Sequence, residues 1–230
     1  MPTTPLPTNW PPPVREALTN LARVLDPHPR LAGAFVFGDL VRGDHASARS
    51  PIGLALVLEA VGDPADAALA EVLHAAFATV RVEPWVVLEA ELPRIADVFP
   101  VKLFEIERYG RHLCGRLTEI RAHSTPEQLR LRTEQLARNM LMRRRTIALL
   151  QGGTTPQRGH VEAANRLRVL LAALDHLRGG REDGLVERSA TLLGLAPERL
   201  SAALSGTPGA IDEALVELVR CTDAHAEEDA

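Results

Sequence analysis

The chain has 230 residues, of which 46% are hydrophobic and 24% are charged, and its formal net charge at pH 7 is −4. These values are typical of a globular protein with one large domain or two small ones. They give no indication of a membrane protein, since no apolar stretch reaches the length of a membrane span. Aromatic residues make up only 3% of the chain, so Leu, Val and Ala must form most of the core.

Cysteine content and the N-terminal sequence indicate a compartment. Cys114 and Cys221 are the two cysteines, and their separation fits neither a disulfide framework nor a metal site. The N-terminus, MPTTPLPTNWPPP, lacks the basic start and apolar centre of a signal peptide. We therefore expect a cytoplasmic protein.

The N-terminal half alternates predicted helices and strands. A Pro/Thr-rich segment over 1–13 precedes a predicted helix over 14–25, in which leucines recur at helical spacing. The apolar run Ala34–Phe37 predicts a strand. A second strand is predicted from Ile52 to Leu58, because both of its faces are apolar or small, as in a strand that is buried on both sides.

The connection between these two strands contains several turn residues. Gly38 predicts a sharp turn directly after the first strand. Asp39 is expected to cap a short helix, and Gly43 and Asp44 are expected to end it. The connection therefore predicts a turn, a short helix and an irregular loop that ends at Ser50.

The rest of this half predicts two helices and two extended segments. A helix is predicted over 64–77, followed by a strand over 79–88 in which Pro84 indicates a sheet edge or a bulge. A short helix over 91–97 and an extended segment over 101–107 complete the half. These elements predict a small α/β arrangement.

From Thr125 onward the pattern is wholly helical. Thr125 and Gln128 have the spacing of a capping box, which opens a helix that Gly152-Gly153 should end. Further helices are predicted over 157–178, 185–193, 197–204 and 211–221, followed by an acidic tail over 225–230. Consecutive amphipathic helices with short links predict a helical bundle.

Positive charge is concentrated in the middle of the chain. Residues 102–168 hold 14 Lys and Arg against 6 Asp and Glu, a net charge of +8, so the remainder carries −12. One interpretation is a solvated helix face with local ion pairs such as Arg130–Glu134. The other is a nucleic-acid-binding patch, for which the candidates are Arg130, Arg138, Arg143, Arg144 and Arg145. Three consecutive arginines span about 200° of a helix, so they cannot all face one ligand.

The stretch from the first predicted strand to the second resembles the nucleotidyltransferase superfamily, of the minimal, antitoxin-like and aminoglycoside-modifying type. The matching positions are Phe37-Gly38, Arg42-Gly43-Asp44 and Ser50 before the second strand. The resemblance covers about 14–178 and is similar to larger bacterial members with a helical C-terminal region. It implies an α+β fold, with a small mixed sheet and flanking helices over 14–118 and a helical bundle over 122–224.

The same resemblance implies that the catalytic carboxylates are missing. The family's serine is replaced by Asp39, and its two metal-binding aspartates fall on Pro51 and Gly53. Neither Pro51 nor Gly53 offers a side-chain ligand to Mg²⁺, which requires oxygen donors. Asp39 would satisfy the N–H groups that bind a triphosphate, and would repel phosphate. The resemblance thus leaves a ligand-binding turn made of Gly38, Asp39, Arg42 and Ser50, with no metal and no cofactor.

These observations predict a non-catalytic binding or scaffolding protein. We expect a protein partner or a second copy to bind through the helical half, and no membrane. One alternative is an enzyme with relocated acids, in which Asp39, Asp44 or Glu83 holds Mg²⁺ and an NTP, although Glu83 could equally be a surface residue paired with Arg81. A second alternative is a nucleic-acid-binding protein that uses the arginine-rich helix.

Overall fold

The computed structural model describes residues 5–43, 51–62, 65–121, 123–150, 157–180 and 184–228. The chain divides into two compact units, Met1–His123 and Ser124–Ala230. We call them the sheet unit and the helical unit. The predicted boundary, between 118 and 122, lies a few residues earlier in the chain.

The sheet unit contains a four-stranded sheet in the order β3-β2-β1-β4. Its strands are β1 (Leu31–Phe37), β2 (Ile52–Leu58), β3 (Val82–Leu88) and β4 (Arg111–Gly115). β1 is antiparallel to β2 and to β4, whereas β3 is parallel to β2. The sheet is therefore mixed, as predicted. β3 lies at its edge, where the proline within this strand is tolerated because an edge strand has one side without ladder hydrogen bonds.

Helices cover both faces of this sheet. They are α1 (Pro12–Leu25), α2 (Asp39–Arg42), α3 (Ala65–Val80) and α4 (Pro100–Tyr109). Leu54 and Leu56 of β2 pack into an apolar cluster with α1 and α3. Ala55 and Val57, on the opposite face, pack into a second cluster with α4. The prediction that β2 is buried on both faces is confirmed, because alternate residues of a strand point to opposite sides.

The extended segment predicted over 101–107 is wrong. These residues belong to α4, whose first helical position is Pro100. Proline is favoured there because the first N–H of a helix has no intrahelical partner. The buried residues of α4, Val101, Phe104 and Ile106 among them, follow helical rather than alternating spacing.

Three smaller differences concern the neighbouring elements. The predicted strand over 79–88 begins only at Val82, because α3 continues to Val80, whose side chain is buried. The helix predicted over 91–97 is a single 3₁₀ turn, Glu89–Glu91. β4 follows α4 directly and was not predicted.

The described part of the helical unit is built from helices. These are α5 (Pro126–Leu150), α6 (Gln157–Leu177), α7 (Leu185–Leu193), α8 (Pro197–Leu204) and α9 (Pro208–Glu228). α6, α7 and α8 agree with the predicted ranges, whereas α9 is longer than the predicted 211–221. The predicted end of α5 at Gly152-Gly153 lies outside the described residues. Among the helices that the structure describes, none is both long enough and apolar enough to cross a membrane.

The capping box that opens α5 is confirmed. The backbone N–H of Gln128 donates to Oγ1 of Thr125 over 3.2 Å. In return, the N–H of Thr125 donates to Oε1 of Gln128 over 2.8 Å. Both bonds satisfy backbone N–H groups that have no partner within the helix, so the helix start is fixed locally.

Candidate functional site

The turn after β1 is built on two glycines. Gly38 has a φ of 91° and Gly43 a φ of 81°, and they flank the short helix α2. This left-handed region suits glycine because it has no Cβ. The prediction that Asp39 caps α2 is wrong, since Gly38 is the N-cap residue and Asp39 is the first helical residue.

Arg42 is held between two carboxylates at this turn. Its Nη2 donates to Oδ1 of Asp39 over 2.6 Å, and its Nη1 donates to Oε1 of Glu105 on α4. The three side chains are only 7% (Arg42), 18% (Asp39) and 12% (Glu105) exposed. Arg42 therefore connects α2 to α4, and an anionic ligand would have to compete with both carboxylates for it.

The space above Gly53 is filled by an aromatic ring. Gly53 on β2 pairs with Phe37 on β1. A Cβ at Gly53 would lie only 2.7 Å from Cζ of Phe37, which is closer than non-bonded carbon atoms approach. Since the Phe37 side chain is itself buried, an aspartate at position 53 would require this ring to move.

Lys102 of α4 lies over the same ring. Its Nζ is 5.4 Å from the ring centroid of Phe37 and 5.2 Å from that of Trp85 on β3. Trp85 also makes an edge-to-face contact with Phe99, with centroids 5.9 Å apart. Cations are attracted to aromatic faces at such distances. The site therefore contains a protein cation held by aromatic rings.

The remaining predicted carboxylates have different surroundings. Glu83 pairs with Arg81 at 3.2 Å, and its side chain is 51% exposed, which agrees with the surface ion pair considered for it. Asp44 and Ser50 lie outside the described residues. Pro51 is half-buried. Within the described ranges, no group of three or more His, Cys, Asp and Glu side chains is arranged to hold a metal ion.

Arg130, predicted as a nucleic-acid contact, is buried between α5 and α9. It donates to Glu127 through two bonds of 2.8 Å, to Glu134 over 3.4 Å and to the carbonyl of Thr222 over 2.8 Å. The hydrogen bond to Glu127 is the main cause that raises the pKa of Arg130. The ion pair predicted between Arg130 and Glu134 is therefore present, and the buried guanidinium does not face solvent.

Arg144 is likewise removed from the surface. Its side chain is 11% exposed and forms an ion pair with Asp212 of α9. Nη2 donates to the carbonyl of Pro208 over 3.1 Å, and Nη1 lies 3.2 Å from Nδ1 of His160. Arg144 thus joins α5, α6 and α9. Its contact with nucleic acid stays a prediction, and a phosphate would have to compete with Asp212 for this guanidinium.

The other predicted arginines are on the surface. Arg138 pairs with Glu134 at 2.8 Å and with Asp223, and the hydrogen bond to Asp223 is the main cause that raises its pKa. Arg143 and Arg145 are exposed. The five predicted arginines therefore do not form one surface, and nucleic-acid binding stays a prediction for the exposed ones.

Three residues near the turn after β1 were not identified from the sequence as candidate site residues. These are Trp85, Lys102 and Glu105, which surround the turn from β3 and α4. Lys102 is the only lysine in the chain, which is a signal that could have drawn attention to it. Glu105 could not be found because its segment was predicted to be extended.

Comparisons with known proteins leave the family open. No protein-family model matches the chain, and no curated protein matches it either. The resemblance to nucleotidyltransferases therefore rests on the residues of the turn and on the α+β arrangement.

Proposed function

We propose that the sheet unit is a nucleotidyltransferase-like domain without metal-dependent activity, and that the protein is a binding or scaffolding module. The observation that carries this proposal is the Phe37 ring over Gly53. In the family, this strand position supplies a carboxylate to Mg²⁺. The absence of a side chain at Gly53 leaves room for the Phe37 ring, which supports a position that packs against a neighbouring strand rather than holding a metal ion.

The charges around the turn support the same conclusion. Asp39 is paired with Arg42, and Glu83 is paired with Arg81. Lys102 adds a further positive charge over the Phe37 ring. A divalent cation would meet this ammonium group, and like charges repel strongly in a partly dehydrated site. These contacts also weigh against the alternative of an enzyme with relocated acids.

A metal-binding and transfer assay tests the proposal. Purified protein should transfer no nucleotide from any NTP in the presence of Mg²⁺ or Mn²⁺, and should not bind Mn²⁺ in a titration followed by electron paramagnetic resonance. Transfer by the natural sequence that is lost in Asp44→Ala or Glu83→Ala would support relocated acids instead.

Restoring the family's residues gives a more specific test. The variant Asp39→Ser/Pro51→Asp/Gly53→Asp should still fail to bind Mn²⁺, because Phe37 occupies the space that the new carboxylate at position 53 needs. Adding Phe37→Ala and Lys102→Ala should remove the ring and the competing cation, and Mn²⁺ binding should appear. If the triple variant alone binds Mn²⁺, the Phe37 ring is not what keeps the metal out.

A further inference from the structure

The solvent-facing side of α5 carries large apolar side chains. Leu149 and Leu150 are 84% and 81% exposed, Met142 is 56% exposed and Leu131 is 50% exposed. Leu131, Met142 and Leu149 are separated by 11 and 7 residues, so a helix places them within about 20° of one line. Leu150 lies about 100° from that line, and the exposed Arg138 lies on the line between Leu131 and Met142. We call these four apolar residues the α5 ridge.

A groove runs along one flank of the α5 ridge. It lies between α5 and α9, has a volume of about 360 Å³, and is lined by Leu141, Arg145, Asp212, Glu213, Val216 and Glu217. Each helical residue turns by about 100°, so Leu141 and Arg143 lie on opposite flanks of Met142. The groove is therefore on one flank of the ridge, and the exposed Arg143 is on the other.

We propose that the α5 ridge and this groove form a docking surface for a second copy of the chain. A two-fold axis parallel to α5 exchanges the two flanks of the helix. Arg143 of each copy then faces Glu213 and Glu217 of the other, while the two ridges pack together. This inference specifies the partner of the binding module proposed above, and does not depend on the state of the metal site.

The charges of the surface favour an identical copy over a polyanion. Glu213 pairs with Arg199, and Glu217 pairs with Arg220 at 2.6 Å. The surface thus carries both signs beside an apolar centre, so a nucleic acid would meet carboxylates as well as arginines. In an identical copy, Arg143 meets a groove lined by three carboxylates and one arginine, since Asp212, Glu213 and Glu217 lie there together with Arg145. Exposed ion pairs contribute little to stability. Glu213 and Glu217 can therefore exchange the arginines of their own chain for Arg143 of the second copy at little cost in free energy.

The size of the surface agrees with a moderately stable dimer. The α5 ridge is about 28 Å long, from 19 residues at 1.5 Å each, and two adjacent helices are roughly 20 Å wide. Such a face covers roughly 560 Å² per partner, which is below the roughly 800 Å² of a standard interface and favours a dimer of only moderate stability. We therefore expect dimers at micromolar concentration.

Sedimentation equilibrium of the full chain tests this proposal. Met142→Glu/Leu149→Glu should raise the dimer dissociation constant by about tenfold or more, because it places charges in the centre of the interface. Val61→Glu/Val98→Glu is the matched control, since both residues are exposed apolar side chains of the sheet unit. The control should remain dimeric, and circular dichroism verifies that both variants are folded.

A charge exchange tests the arrangement of the two copies. Arg143→Glu alone and Glu213→Arg/Glu217→Arg alone should each weaken the dimer, and an equimolar mixture of the two variants should recover association. A monomeric wild-type protein at high micromolar concentration, or a dimer that persists in Met142→Glu/Leu149→Glu, overturns the proposal. So does a monomer whose binding to duplex DNA or RNA depends on Arg143. None of these outcomes affects the transfer assay, so the two proposals can fail separately.

Discussion

The two units differ in where their buried polar and charged side chains lie. Among the described residues, the buried polar and charged ones all lie in the helical unit: Arg130, Thr133, His160, Asp175, Ser189 and Thr222. In the sheet unit, the clusters on both faces of the sheet are apolar, and Arg42 with its two carboxylates lies by the turn after β1. The sheet unit therefore encloses its charges in one cluster at the end of β1, where Arg42 is only 7% exposed, whereas the helical unit distributes enclosed charges among several helices.

This difference shows how each unit fixes its internal alignment. Backbone hydrogen bonds and alternating side chains set the register of neighbouring strands, so the sheet needs no buried charge for it. Apolar stripes on packed helices restrict the sliding and rotation of one helix against another less strictly than hydrogen bonds restrict strand register. We infer that Arg130, Arg144 and the pair of Arg188 with the buried Asp175 supply directional contacts that fix α5, α6, α7 and α9.

The largest effect is expected from Gly53→Asp in the sheet unit. The new carboxylate would collide with the Phe37 ring, and we expect the free energy of unfolding to fall by about 3 kcal/mol. Urea denaturation measures it. Pro51→Asp is the control, because Pro51 is half-buried at the start of β2, and it should change stability by about 1 kcal/mol or less. Equal effects of the two variants would mean that the Phe37 ring can move aside at little cost in free energy.

Arg144→Met tests the interior charges of the helical unit. It leaves the half-exposed Asp212 without its arginine and removes the contacts to Pro208 and His160, so we expect a loss of about 2 kcal/mol in urea denaturation. Arg143→Met, at the adjacent exposed position, should change stability by only about 0.5 kcal/mol. Similar losses for both variants would contradict the division between interior and surface arginines.

Lys102→Met tests the charge at the margin of the sheet unit. It removes the cation over Phe37 and Trp85 while keeping a side chain of similar length, and we expect a loss of about 1 kcal/mol. The fluorescence of Trp85, measured in a Trp10→Phe background, should shift as well. Lys102→Arg should retain most of the stability, since guanidinium groups also bind aromatic faces.

An effect that is absent at neutral pH concerns Cys114 in the apolar interior of the sheet unit. Burial is the main cause that raises the pKa of its thiol from 9.0 to about 12. Above pH 9.0 the unfolded chain loses this proton while the folded protein keeps it, so ionisation favours the unfolded state and stability falls as the pH rises towards 12. Cys114→Ala should reduce this slope between about pH 8 and 11. An unchanged slope would indicate that other groups cause it.

Local chemistry was sufficient for much of the fold. The capping box of Thr125 and Gln128, the doubly buried strand from Ile52 to Leu58 and the turn at Gly38 were predicted because each depends on residues that are close in sequence. The segment 101–107 was predicted incorrectly. Its apolar residues fit both periodicities over so short a length, and packing of α4 against the sheet selects the helix.

The sequence by itself determined the alternation of helix and strand from α1 to β3, the helical character after Thr125 and the absence of carboxylates at Pro51 and Gly53, because these depend on side-chain type and local spacing. Only the tertiary structure decided which arginines are available to a ligand. Arg143, Arg144 and Arg145 are equivalent in sequence, yet Arg144 is enclosed by Asp212 and His160 while its neighbours are exposed. Burial of a charge depends on partners 16 to 68 residues away, and only folding brings those partners together.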